Sequence, residues 1–238
     1  MKPRRYNTAH QFLAPLGVIV ASWFLAPVPV LGAAVVDSND PAQLIESVAH
    51  AILDPINANP NQYRSNSSDL DELVSAQLMP HFDVRFAAQF VLGPHWRDAT
   101  PQQRLRFTNG FYQLLLHNCA NDLVRFSLNH LQVLPYRGDP TTTYTTVDTV
   151  MQRHDGESVN LNFSMRRTRT GWKAYDVAID GISYDKSFRD DFGEEIEQKS
   201  LNELIARLES EYGRGTPKGS QNNAAASAIK DIRSKPPA

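Results

Sequence analysis

Residues 157–184 read ESVNLNFSMRRTRTGWKAYDVAIDGISY. Val159, Leu161, Phe163 and Met165 alternate with Asn160, Asn162, Ser164 and Arg166, the period of a strand with one buried and one wet face. Thr170-Gly171 is a turn signal, and beyond it Tyr175, Val177 and Ile179 recur at alternate positions, with Trp172, Ala174 and Ala178 on the opposite face. The stretch predicts an antiparallel hairpin with an apolar wall.

Upstream of the hairpin the period is also alternating. Leu131–Tyr136 predicts a short strand, Gly138-Asp139-Pro140 a turn, and Thr143–Arg153 a longer strand rich in Thr and Val. Asp155-Gly156 is the favoured dipeptide of a tight hairpin and joins that strand to residue 157 onward. The expected sheet is an antiparallel meander of about four strands.

Helical periods flank the sheet. Asp40-Pro41 reads as an N-cap with proline at the first helical position, and Leu44, Ile45, Val48, Ala49, Ile52 and Leu53 fall on one face, with an end expected near Asp54-Pro55. Asn57–Ser68 is polar without an apolar period and predicts a loop. Helix resumes at about Asp69 and stops before Pro80. Phe82, Phe86 and Phe90 form an aromatic stripe of the kind that usually enters a core. Thr100 and Gln103 form a capping box opening a long helix through Phe111, Leu115 and Cys119 to about Phe126. After the sheet, Phe188, Phe192 and Ile196 recur at steps of four, and a second capping box, Ser200 with Glu203, opens a last helix. Helices, antiparallel strands and helices again predict an α+β domain in which helices cover one face of the sheet.

Composition divides the chain of 238 residues into three parts. Lys2, Arg4 and Arg5 precede an apolar run from Phe12 to Leu31 that closes on Gly32-Ala33-Ala34, so residues 1–34 are expected to be a cleaved secretory signal peptide; the length would also allow an uncleaved membrane anchor, against which Pro15, Pro27, Pro29 and the small-residue ending weigh. Residues 35–210 are expected to form one domain, and 211–238 a disordered polar tail, because from Gly213 onward large apolar groups are nearly absent. Removing the signal leaves 21 of the 24 Lys and Arg against 26 Asp and Glu, a net charge of −5 that gives no electrostatic case for nucleic acid. With Cys119 as the single cysteine, no intrachain disulfide can form, and packing must supply stability. Cys119 reads as a buried small residue on a helix.

Chemistry-bearing patterns are sparse. There is no glycine-rich phosphate loop, metal-spaced Cys/His cluster, HExxH or GxSxG. His50, His81, His95, His117, His130 and His154 are scattered without ligand spacing, so no metal site and no catalytic residue is assigned. Asp83 beside His81, Asp148, Asp176 and Asp180 are the acids that an enzyme with an apolar cone would use as a raised-pKa base, and Asp83 stands equally where a carboxylate caps a helix. Arg166, Arg167, Arg169 and Lys173 gather at one hairpin end, either as a solvated turn or as a patch for lipid phosphate or an acidic partner.

Two segments resemble those of a known family. Phe90-Val-Leu-Gly-Pro-His-Trp96 with Ala99-Thr-Pro-Gln-Gln103, and Gly171-Trp-Lys-Ala-Tyr-Asp-Val177 with Asp180-Gly-Ile-Ser183, are similar to the signature segments of the MlaC family, the periplasmic phospholipid-binding and toluene-tolerance proteins of the Mla lipid transport pathway. The likeness runs from about Pro41 to Glu209; the Asn57–Ser68 segment and the tail depart from it. It implies a periplasmic, non-enzymatic carrier that holds phospholipid as cargo, needs no cofactor, and has a deep apolar cavity between sheet and helices. It further implies partners, an outer-membrane MlaA-type complex and an inner-membrane MlaFEDB-type ABC transporter, and a role in outer-membrane lipid asymmetry. The side chains expected to touch lipid are Phe111, Leu115, Val159, Leu161, Phe163, Met165, Tyr175, Val177 and Ile179, each of which would serve equally as ordinary core. Two other readings stay open: a small isomerase or dehydratase with a cone-shaped active site, and an envelope adaptor with a filled core.

Overall fold

The structure, a computed structural model, describes residues 39–125, 128–139, 141–153 and 156–213. The expected signal peptide, the tail beyond Gly213, and Phe126, Pro140, His154 and Asp155 of the expected helix end and turns lie outside the described residues.

The helices that open the domain begin where the sequence places capping groups. Asp40 accepts from the backbone N–H of Ala42 and Gln43 and starts α1, Pro41–Ala58. This helix runs through Pro55 rather than ending there. A proline removes one backbone donor, and the next buried residue, Ile56, keeps the segment on the core. The expected loop over Asn57–Ser68 is instead helical: α2, Pro60–Ser65, buries nothing, and α3, Ser67–Gln77, buries Leu70 and Val74. Polar composition hid these turns, because their support is capping, with Asn66 accepting from the Ser68 N–H, rather than an apolar stripe. A 3-10 turn, Met79–His81, leads to α4, Val84–Leu92, and α5, Pro94–Asp98. The long α6, Pro101–Arg125, opens on the expected capping box, with Thr100 Oγ1 accepting from the Gln103 N–H at 3.2 Å and Gln103 Oε1 from the Thr100 N–H at 2.8 Å.

Among the described residues five strands follow in simple antiparallel order: β1, Leu128–Val133; β2, Tyr144–Arg153; β3, Ser158–Thr168; β4, Gly171–Ile179; and β5, Ile182–Ser183. The fifth strand adds two residues to the expected meander and depends on Asp180-Gly181. Both residues have positive φ, 47° and 85°, the signature of the two-residue hairpin turn that matches strand twist. Two helices, α7 (Tyr184–Gln198) and α8 (Leu201–Tyr212), complete the α+β domain.

The β3–β4 register carries one irregularity that matters for function. Phe163 pairs with Val177 and Leu161 with Ile179, but Met165 pairs with Ala174, so Tyr175 is an extra residue in β4. The bulge transfers the inward face from Val177 and Ile179 to Ala174 and Trp172, both buried. The expected assignment of Tyr175 to one face with Val177 and Ile179 is therefore corrected, because simple alternation assumes an unbroken ladder.

Two apolar clusters support the domain. One joins α1 and α3 to the inner sheet through Leu44, Val48, Val74, Val147 and Met165; the other joins α4, α6, α7 and α8 through Val91, Phe107, Phe111, Phe188 and Leu204. The Phe82–Phe86–Phe90 stripe does not form the buried face of α4, which is Ala87, Ala88, Val91 and Leu92. Phe86 instead packs edge-on against Tyr175, with Arg166 over its ring.

Candidate functional site

Between the sheet and the helices lies a cavity of about 710 Å³, within the range of about 300–1,000 Å³ typical of small-molecule sites. Ile45, Val48, Ile52 and Leu53 of α1 form one wall, and Leu78, Met79 and Phe82 another. Leu115, Cys119 and Leu123 of α6 face the sheet residues Leu131, Met151, Val159, Leu161, Phe163, Ala174, Val177 and Ile179. Tyr184, Asp185 and Phe188 close the side at the start of α7.

Of the nine side chains singled out in the sequence, Leu115, Val159, Leu161, Phe163, Val177 and Ile179 border this space. Phe111 is fully buried among Phe107, Phe188 and Phe192, and Met165 is fully buried in the cluster under α1. Tyr175, displaced by the bulge, contacts Phe86 and Tyr144. The alternation misses the α1 wall and Leu78–Phe82. Six apolar residues on one face of α1 are the available signal for that wall, since a narrower stripe suffices to seat a helix.

On the sheet, exposure marks part of the wall, while other lining residues, among them Ile45, Val48, Leu131 and Met151, are buried and belong to the core cluster as well. Val147 and Met165 on the inner face are fully buried, whereas Val159, Leu161, Phe163, Val177 and Ile179 keep part of their surface although they point inward. Side chains in a close-packed interior keep none. The space opens at one end of the sheet, where the lining residues Glu157, Ser158, Asp180 and Ile182 are exposed. Arg153 stands there too, donating to Glu157 at 3.0 Å. The Arg166–Lys173 basic cluster lies at the opposite end of the β3–β4 hairpin, away from this mouth. Arg166 there donates to Asp83 at 2.8 Å, and Arg167 lies over Trp172.

Of the four acids considered for catalysis, Asp83, Asp148 and Asp176 do not line the cavity, whereas Asp180 borders it at the mouth, exposed and accepting from the Asn160 N–H at 3.0 Å. Asp83 caps α4 through the Phe86 N–H and holds Arg166. Asp148 accepts from Asn162, and Asp176 accepts from the Ser183 hydroxyl at 2.6 Å and the Asp185 N–H at 3.0 Å. Other titratable groups do border the space. Burial, and then Lys173, lowers the pKa of His81, disfavouring its cation. Burial, and then Asp122, pushes the Cys119 thiol up to about 12. Asp122 accepts from the Tyr184 hydroxyl at 3.1 Å. Asp185, only 2% exposed, is pushed up to about 9 by burial and then by Asp176. It escaped the sequence reading, although its spacing of three and seven from Phe188 and Phe192 puts an acid on an apolar stripe. Among the described residues no cluster of three or more His, Cys, Asp or Glu could hold a metal, and no helix is long and apolar enough to cross a membrane.

Comparison with known proteins adds to this geometry. The sequence model of the family described as MlaC protein matches residues 46–210. The toluene tolerance protein Ttg2D of Pseudomonas putida is 24% identical over 190 residues, covering 79% of this chain and 86% of its own. The intermembrane phospholipid transport system binding protein MlaC of Haemophilus influenzae is 23% identical over 173 residues, covering 71% of this chain and 80% of its own. A solved structure of the phospholipid-binding protein from Ralstonia solanacearum, in complex with a phospholipid, shares the fold with a TM-score of 0.63. It is 24% identical and covers 70% of this chain and 93% of that one.

Proposed function

The chain belongs to the MlaC family, and from that premise we propose that it is a phospholipid carrier whose cavity shelters the acyl chains of its cargo. The observation that carries the reading is the row of inward apolar side chains, Val159, Leu161, Phe163, Val177 and Ile179, that border open space instead of filling a core.

Physical chemistry states why such a carrier is required. Each buried methylene contributes about 0.8 kcal/mol, so two acyl chains of roughly thirty methylenes hold a lipid in its bilayer by on the order of 20 kcal/mol. Unaided passage through water is negligible at that cost. At about 30 Å³ per small group in a condensed phase, 710 Å³ takes on the order of twenty methylenes. The apolar shelter then approaches that of the bilayer, while the polar mouth leaves the headgroup wet.

The finer assignment follows the relatives. The protein acts in the periplasm after its signal peptide is removed. There it passes phospholipid between an outer-membrane MlaA-type complex and an inner-membrane MlaFEDB-type transporter, maintaining outer-membrane lipid asymmetry. It performs no reaction on the cargo, in keeping with the structural engagement of Asp83, Asp148 and Asp176 outside the cavity and of Asp180 with Asn160 at its exposed mouth. The test is native mass spectrometry of protein purified from cells in mild buffer. About one phospholipid per chain is expected; apo mass alone, in samples that retain their fold, refutes the carrier.

A further inference from the structure

Asp185 is the polar residue that the apolar cavity leaves unexplained. It is the second residue of α7, borders the cavity, and is 2% exposed. Its backbone N–H is occupied by Asp176, yet among the described residues no hydrogen-bond partner reaches its buried Oδ2. A buried carboxyl oxygen without a partner costs about 1–3 kcal/mol, and more if charged. A valine or leucine would line this wall without that cost. We propose that the Asp185 side chain is a cargo-binding group that donates a hydrogen bond to an ester carbonyl of the bound diacyl lipid.

The chemistry of the site selects that acceptor. A carboxyl group shielded from water beside the Asp176 carboxylate keeps its proton at neutral pH, with its pKa pushed up to about 9, so it presents an O–H donor. A phosphate is a poor match, since the adjoining Asp176 charge repels an anion, and the cation of the cavity lining, Arg153, stands at the mouth. Position along the chain agrees. Asp185 follows the exposed Ile182 of the mouth by three residues, and both border the cavity. In a diacyl lipid the ester groups lie between headgroup and chains. An ester carbonyl accepts and does not donate, which complements a protonated acid.

The proposal rests on the carrier reading, and its test separates the two. The full-length protein, stripped of lipid, is offered a diacyl phosphatidylcholine and its dialkyl ether counterpart, identical except for the two carbonyls, and both dissociation constants are measured. Wild type is expected to prefer the ester lipid by about three- to tenfold, the worth of one net hydrogen bond. Asp185→Asn, which retains a donor, is expected to keep the preference. Asp185→Leu is expected to bind the ester and ether lipids equally, with a thermal melt verifying its fold. Equal binding of the two lipids by wild type, or an undiminished preference in Asp185→Leu, overturns the proposal while leaving the carrier intact. Failure of wild type to bind either lipid overturns both.

Discussion

Replacing Val177 with tryptophan tests whether the β3–β4 wall faces cargo or core. Val177 pairs with Phe163 across the hairpin, and both border the cavity. Tryptophan adds about seven heavy atoms at this position, room that about five methylenes of an acyl chain would otherwise take. At about 0.8 kcal/mol per methylene the displaced contacts amount to about 4 kcal/mol, a loss of affinity on the order of a thousandfold. In a filled core the same change would force neighbours off their rotamers and cost roughly 1–3 kcal/mol of stability. Against a cavity of about 710 Å³ the indole has space to enter, so the lipid-free variant should be at least as stable as lipid-free wild type. Stability must be compared without lipid, because bound cargo raises the apparent stability of the protein that holds it. The assays are urea unfolding of delipidated protein and native mass spectrometry of protein taken from cells. A variant that emerges from cells loaded as fully as wild type, or that loses 1–3 kcal/mol when lipid-free, refutes the assignment of this wall to cargo.

Two further outcomes follow from the titratable groups of the cavity. The Asp185 carboxyl has a folded pKa of about 9 against about 3.9 in the unfolded chain, so between these values the folded state binds the extra proton and stability falls as pH rises. The contribution is fully present below about pH 4 and is lost through about pH 9, at no more than about 1.4 kcal/mol per pH unit. Asp185→Asn should flatten that slope and exceed wild type in stability near pH 8, as read by urea midpoints across the range; parallel profiles for the two proteins would refute it. The Cys119 thiol, half-buried on the cavity wall and pushed up to about 12, should react with iodoacetamide at pH 8 far more slowly in the native protein than after unfolding, and labelling of native protein at the rate of a free thiol would refute the shift.

Strand and helix periods carry most of the fold because burial acts residue by residue. Val159 to Met165 alternate as written and do form one strand, and the Thr100–Gln103 and Ser200–Glu203 boxes open the helices they announce. Two local features escape such patterns. The bulge at Tyr175 is a register event between two strands, and nothing in the residues of β4 alone distinguishes a bulged from a regular ladder. The helices within Asn57–Ser68 rest on capping and on contacts of α3 with α6, so a polar stretch without apolar period concealed them. The expected meander passes over the Asp180-Gly181 turn, although that dipeptide favours positive φ at both positions.

The cavity is a different matter, because wall and core use the same side chains. Phe111 and Leu115 lie four apart on α6, yet one is locked among three phenylalanines and the other borders open space. Hydrophobicity records that a residue avoids water; it does not record whether a neighbour or a ligand provides the shelter. Polar residues carry more information, since each must find a partner. Asp83 and Asp176 find theirs within the protein, whereas the Asp185 Oδ2 finds none among the described residues. The acid on the Phe188–Phe192 stripe that also borders the cavity is, on the proposed reading, the sequence feature that marks a binding wall. On the proposed reading, the apolar wall approaches the bilayer in the shelter it gives the chains, so transfer in either direction is nearly balanced. A single hydrogen bond at the collar then has weight in deciding which lipids remain bound.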